Sequence, residues 1–428
     1  MSMKKIASLL GVAAVLVGLS ACGNSNKKTS SDAKESKTLT VLLSEEPSKT
    51  NALNNAFKKW AKETGNKLKT VVIPYDDQLT KFPLMLKNKD VPDIVATTRL
   101  MMLYPDEFTD LSKKMDTSIF DEKALKVINQ DYTDTKVLGA PNQYTLSCYF
   151  YNKDAFKKAG ITAPTVDNPW TLDELYANAE RLKRDGDVKY GLAVDFSRAR
   201  YDNLMYSNGG SMVKKDGKTF DVTINSNKNV KTLQKFISLN KSGVMPEVIW
   251  TGGSSDNPAD YFKNGDVGIY LSGTWNYEPL NTDVSKFDFG VMPSPKGSEQ
   301  QSVISGGSSL AIPKSAKNSK LAVQFLKWLY KDKNLKEYLT NDKGISFVKD
   351  VSYVDKDPDV AADYKILQSE LDHVTDQFLV DEQSQWRNYL DNEYRDYLKQ
   401  AVSGEMSAKG ALDAFAQDLS KKSDWAVK

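Results

Sequence analysis

Chemistry in this 428-residue chain would have to come from a short supply of nucleophiles and bases. There is one histidine, His373, in the stretch "SELDHVTD". A Ser-His-Asp or Cys-His constellation therefore has a single candidate base, and no nucleophile-elbow motif accompanies it, so His373 reads as a surface or tail-packing residue. Two cysteines, Cys22 and Cys148, are present. Cys148 lies inside the apolar "LSCYFY" run and reads as a small buried hydrophobe rather than a nucleophile. Metal sites built on His and Cys are excluded by count. An all-oxygen calcium site stays open, although no stretch has the EF-hand spacing. The one echo of a phosphate loop, "DGKT" at Asp216 to Thr219, has Met212 where a Walker A loop needs glycine, and reads better as a hairpin turn on Asp216-Gly217. With 56 Asp and Glu residues, chance carboxylate pairs abound, and only their separation in space would identify a glycoside-hydrolysing pair. Nothing argues positively for catalysis, so the chain is not read as an enzyme, and no cofactor is expected.

Aromatic residues point elsewhere. The chain has 7 Trp and 20 Tyr, and several lie outside helical stripes: Tyr144, Trp250 in "VIWTGGSS", and Trp275 with Tyr277 in "GDVGIYLSGTWNY". A large aromatic just past a strand end can fold back as a plug, pack on a neighbour, or wait for a ligand. A sugar ring has an apolar C–H face and a rim of hydroxyls, so a site for it needs flat aromatic floors beside planar polar groups. The run "DFSRARYDN" offers Asp195, Arg198, Arg200, Tyr201 and Asn203 together, its bland alternative being a solvated loop and helix start. Trp60 and Trp328 sit on helical apolar faces and read as core.

The elements that would position these groups follow from periodicity. "TLTVLL" (38–43) alternates like a strand. Leu53, Ala56, Phe57 and Trp60 then mark one helical face that stops at Gly65, and "LKTVVI" returns to strand. This strand-helix-strand unit predicts a parallel pair, with "VPDIVA" as a third strand. "LSCYFYN" reads as strand, "KDAFKKAG" as a helix closed by Gly160, and Thr171 with Glu174 as a capping box. "YGLAVD" and "GDVGIYLSG" supply further strands, and "SVISGGSSLAIP" a strand interrupted at Gly306-Gly307. After it comes a helix bearing Leu321, Phe325, Trp328 and Leu329. The tail is helical, with stripes such as Trp386, Leu390, Tyr394 and Tyr397, then Leu412, Phe415 and Leu419.

The N-terminus carries an address. Lys4 and Lys5 precede the apolar run "IASLLGVAAVLVGL", which is short for a bilayer span and reads as a secretory signal. "LSAC" resembles a bacterial lipobox, in which Cys22 is lipidated and becomes the mature N-terminus, and the polar stretch that follows is a tether. Loss of residues 1–21 leaves equal numbers of basic and acidic residues, so no electrostatic case for nucleic acid remains.

"YFYNKDAFKKAGITAP", "WTLDELYANAERLK", "YFKNGDVGIYLSGTWN", "FDFGVMPSPKG" and "SGGSSLAIPKSAKNSKLAVQFLKWL" resemble, in order and spacing, the extracellular solute-binding proteins of sugar ABC importers, the maltodextrin- and multiple-sugar-binding group. The resemblance implies an α/β, two-lobe periplasmic-binding-protein-like fold with a hinge, an interlobe ligand cleft and a helical C-terminal tail. Its parts would be a signal at 1–21, a tether at 22–37, one lobe at 38–145 plus 304–355, and a second at 146–303 plus 356–428. It implies loop contacts from Glu45, Glu46, Thr98 and Arg99, a stacking floor at Trp275, and close backbone approach at Gly306, Gly307 and Ser308. With Tyr144, Asp195, Arg200, Tyr201, Asn203, Trp250, Tyr277 and Trp386, these form the candidate ligand site. The implied partners are a carbohydrate, two permease subunits with their ATPase on the far side, and the membrane through lipid on Cys22. The protein would act as a monomer on the outer face of the cell membrane. An exported glycoside hydrolase and a surface adhesin are the alternatives.

Overall fold

The computed structural model describes residues 37–44, 46–47, 51–74, 77–97, 99–122, 125–126, 136–252, 257–302, 304–349, 351 and 353–428. Its main sheet begins with β1 (Thr38–Leu43), β2 (Lys67–Val72) and β3 (Ile94–Ala96). Strand β1 pairs in parallel with both β2 and β3, the arrangement expected of the opening strand-helix-strand unit. The intervening helix Ala52–Thr64 starts where the Asn51 side chain accepts from the Asn54 amide and ends at Gly65, whose φ of 69° only glycine adopts freely. Its buried face carries Phe57 and Trp60, which stack on and edge against Phe325. Burial of such a side chain contributes about 1.5–3 kcal/mol.

The long strand β4 (Gly139–Asn152) holds the sheet together. Its residues from Gly139 to Leu146 pair with β10 (Ile304–Ala311), which also pairs with β3. Its residues from Ser147 onward pair instead with β8 (Val267–Gly273) and β9 (Phe289–Met292). Strand β5 (Tyr190–Val194) adds in parallel to β8. The order β2-β1-β3-β10-β4-β8-β5 thus has two halves, joined where β4 changes partners between Leu146 and Ser147. A hydrogen bond from the Ser302 hydroxyl to the Ser147 carbonyl fixes the return of the chain at the same place. A last passage lies between Lys349, whose amide donates to Ile119 in the first half, and helix Pro358–Ser369, whose Asp363 accepts from Val291 of β9.

Local signals hold in the second half. Asn152 caps helix Lys153–Ala159, Gly160 closes it, and Thr171 and Glu174 form the capping box. Strands β6 (Val213–Asp216) and β7 (Thr219–Val222) form the hairpin expected at Asp216-Gly217. Three features differ from the sequence reading. The chain ends in a short strand, β11 (Ala426–Val427), parallel to β7, with Trp425 packed on Phe220. The stripe through Leu390 is broken by non-helical backbone there. Trp328 is half-buried rather than core, because its indole N–H reaches out to Glu63.

Candidate functional site

Strand β8 is buried along its whole length and ends at Gly273, where a single turn, Thr274–Asn276, leads into helix Tyr277–Asp283. The turn is tied down on both sides. The Thr274 hydroxyl donates to the Tyr144 carbonyl and accepts from the Leu146 amide, each at 3.3 Å. Asn276 Nδ2 donates to Ser272 Oγ at 2.7 Å and to Tyr270 OH at 3.2 Å. Both of those hydroxyls in turn donate to Asp195, just beyond β5, the tyrosine at 2.6 Å.

Trp275 sits on this braced turn with 42 % of its surface exposed, and among the described residues it is the one exposed aromatic. Its indole lies back over Gly273, where a Cβ would fall within the ring. On one face the guanidinium of Arg200 lies 4.5 Å from the ring centroid. Arg200 itself is fully buried and donates to Ser147 Oγ at 3.0 Å. Burial pulls its pKa down to about 10 while the charge of Asp195 opposes the shift, so the guanidinium stays cationic at neutral pH. Burial likewise raises the Asp195 carboxyl, against its hydrogen bonds to Ser272 and Tyr270.

A cleft of about 50 Å³ opens beside Trp275. Gln143 and Tyr144 of β4 line it together with Glu278, Asp342, Lys343 and Tyr364. Its walls therefore come from the first half of β4, from the turn and helix after β8, and from helices Asp332–Asp342 and Pro358–Ser369. Lys343 bridges them, with Nζ 2.9 Å from Glu278 Oε2, and its carbonyl accepts from the Tyr364 hydroxyl. No group of three or more His, Cys, Asp or Glu suited to a metal ion occurs among the described residues.

The expected site residues separate into several environments. Trp275, Tyr144 and the Asp195–Arg200 pair come together around the end of β8. Tyr144 is buried, with its hydroxyl 3.3 Å from Asp121. Arg200 was expected to meet ligand hydroxyls, but it lies under the indole instead, and both Asp195 oxygens are already engaged. Gly307 stands opposite Tyr144 and Ser308 opposite Gln143 on β10, bringing that strand alongside the cleft. Trp250, Tyr277, Tyr201, Asn203 and Trp386 differ from the expectation, all being core residues. Trp250 is wholly buried, edge-on to Phe196 and Phe236, with its N–H on the Val194 carbonyl. Tyr277 is buried against Tyr364 with its hydroxyl on Asp363. Tyr201 packs edge-on to Phe236, and Asn203 donates to the Tyr149 hydroxyl. Trp386 is enclosed by Tyr394 and Phe415, with Arg198 over its ring. Glu46 is exposed beyond β1, and Arg99 begins helix Arg99–Leu103. Glu45, Thr98 and Cys22 lie outside the described residues.

Asn276, Glu278, Lys343 and Tyr364 were not singled out from sequence. Asn276 could have been, since it shares the turn with Trp275. Lys343 could not, being 65 residues from its partner and on a helix end with no aromatic marker. Outside the site, His373 is half-buried and its carbonyl accepts from Ser302. The Cys148 thiol is buried and its pKa raised, which leaves it an inert apolar group.

Residues 46–336 match the family described as bacterial extracellular solute-binding protein. The galactooligosaccharide-binding protein of Bacillus subtilis is 26% identical over 82% of this chain and 82% of its own. The maltodextrin-binding protein MdxE of the same species is 26% identical, covering 78% of each. Among solved structures, a substrate-binding protein of Listeria monocytogenes in complex with cycloalternan superposes with a TM-score of 0.74 at 20% identity, over 91% of this chain and 98% of that one. Maltose-bound MalE3 of T. maritima gives 0.75 at 18% identity, over 90% and 99%. The α/β fold, with its sheet in two halves, is accordingly the two-lobe periplasmic-binding-protein fold.

Proposed function

This chain belongs to the bacterial extracellular solute-binding proteins, and on that premise we propose that it captures an oligosaccharide between its lobes and hands it to an ABC permease. The observation that carries the sugar reading is Trp275, an indole left 42 % exposed at the carboxyl end of β8, where α/β folds place ligands. An apolar ring face of that kind matches the C–H face of a pyranose, and Glu278 and Gln143 beside it offer acceptors and donors for hydroxyls. Relatives that bind galactooligosaccharides and maltodextrins support the same class of ligand. The lobes would be 38–145 plus 304–355 and 146–303 plus 356–428, with β4 and the Ser302 return as the hinge. Sugar touching both lobes favours the closed form, and the protein binds without turnover. A cleft of about 50 Å³ holds a few waters, so the lobes part to admit a sugar ring. Lipid on Cys22 would hold the monomer at the outer face of the membrane, to meet a pair of permease subunits whose ATPase lies across it. No helix among the described residues is long and apolar enough to cross a membrane.

The test is a thermal-shift series with galacto-oligosaccharides, maltodextrins and diacetylchitobiose, followed by calorimetry and chromatography of the recovered sugar. A cognate ligand at a hundred times its Kd adds about 2.7 kcal/mol of stability. No shift with any sugar overturns the reading, and shortened product would indicate hydrolysis instead. Release of a Cys22→Ala variant into the medium would support the anchor, and its retention on cells would count against it.

A further inference from the structure

We propose that Arg200 is a positioning residue for the Trp275 platform, acting on the hidden face of the indole and tying it to the strand that joins the lobes; this rests on the reading of Trp275 as a sugar floor. An exposed tryptophan on a one-turn segment would ordinarily have freedom about χ1 and χ2, and ordering it on ligand binding costs affinity. Here that freedom is removed from below. The Arg200 guanidinium lies 4.5 Å from the ring centroid and is fully buried, so the cation–π contact is desolvated and near the strong end of its range. The guanidinium is itself fixed. It donates to Ser147 Oγ at 3.0 Å, and Asp195 supplies the compensating charge. Ser147 stands opposite Gly273, the residue over which the indole lies, in the β4–β8 register, and is the residue at which β4 passes from one half of the sheet to the other. Its carbonyl also receives the Ser302 hydroxyl of the returning chain. The floor of the site and the passage between lobes are thus held by one side chain. A lysine would keep the charge but lacks the planar fork that stacks and donates together.

The measurement is ¹⁹F NMR of protein labelled with 5-fluorotryptophan, the Trp275 signal being the one absent from a Trp275→Phe variant. In ligand-free protein, Arg200→Gln and Arg200→Lys should move or broaden that signal while the remaining signals hold. Ser147→Ala, which leaves the arginine in place, should do so more weakly, and it keeps the test alive if Arg200→Gln does not fold. Affinity for the tightest binder among maltotriose, a galactotriose and diacetylchitobiose should fall about tenfold in Arg200→Gln, equivalent to about 1.4 kcal/mol. The same change made on Trp275→Ala should cost nothing further. An unmoved Trp275 signal in a folded Arg200→Gln or Ser147→Ala protein overturns the proposal, as do additive losses. If Trp275→Ala alone leaves affinity intact, the sugar-floor reading fails instead, and the ligand-free signal still decides whether Arg200 positions the ring.

Discussion

Lys343 and Glu278 form an ion pair, Nζ to Oε2 at 2.9 Å, that spans the two halves of the molecule. Lys343 ends helix Asp332–Asp342, where its positive φ of 47° places it in the left-handed region and a cation meets the helix carboxyl terminus. Glu278 stands in the first turn of the helix that follows Trp275.

Both side chains keep about a third of their surface, 31% and 34%, so water screens the pair. A double-mutant cycle of Lys343→Ala and Glu278→Ala should give a coupling below about 1 kcal/mol in denaturant unfolding, fading as salt rises. Because the pair joins the lobes, its loss should show more clearly as a broader interlobe distance distribution between spin labels. A coupling well above that limit, or an unchanged distribution, would count against this account.

Gly273→Ala should disturb binding without disturbing the fold. The backbone there is extended, at φ −141° and ψ 164°, and accepts any residue. The three atoms nearest the added Cβ all belong to the Trp275 ring, which must swing away from its place over Arg200. Calorimetry should show sugar affinity reduced at least tenfold, an amount equal to about 1.4 kcal/mol, with melting temperature little changed. Retained affinity would mean the ring has another way to sit.

Asp381 should be among the costliest acids to remove. It accepts from the Tyr206 hydroxyl at 2.7 Å, the Met212 and Val213 amides at 2.6 and 3.0 Å, and Gln377 at 2.9 Å, pinning β6 to the tail helix Asp376–Gln383. Asp381→Ala leaves two buried amides without their acceptor, and about 3 kcal/mol of unfolding free energy should be lost. Chemical denaturation measures it directly, and a loss under about 1 kcal/mol would refute the pinning role.

Stability should fall as pH rises from about 4 to about 7. Burial lifts Asp342 and Asp202 to about 7 in the folded protein, against an unfolded value near 3.9. Between those values the folded state holds the extra protons, so raising pH favours unfolding, and the effect levels off above the folded pKa. Carboxylates held low, such as Asp110 and Asp413, act in the opposite sense but only below about pH 4. Asp342→Asn should flatten the melting-temperature profile between pH 5 and about 7.5. An unchanged slope would remove Asp342 as a cause.

What lay within one element was legible in the chain. Alternation marked β1, helical spacing marked Leu53 to Trp60, and Thr171 with Glu174 or Asp216-Gly217 named a cap and a turn, because those signals are exchanged between residues a few positions apart. The end of a buried strand at Gly273 likewise singled out Trp275 before any packing was known. Trp250 and Tyr277 also stand outside helical stripes, Trp386 stands on one, and none of the three has an open face.

Only the tertiary structure separates them. Phe196 and Phe236 close over Trp250, Tyr364 and Asp363 take up Tyr277, and Tyr394 and Phe415 enclose Trp386. An arginine from the helix after β5 lies against the Trp275 ring, yet 42 % of its surface stays exposed, which none of the other three shows. Periodicity records how a residue faces its own element. Whether the facing surface is then filled depends on segments tens of residues away, and that contact is made only when the sheet has brought them together.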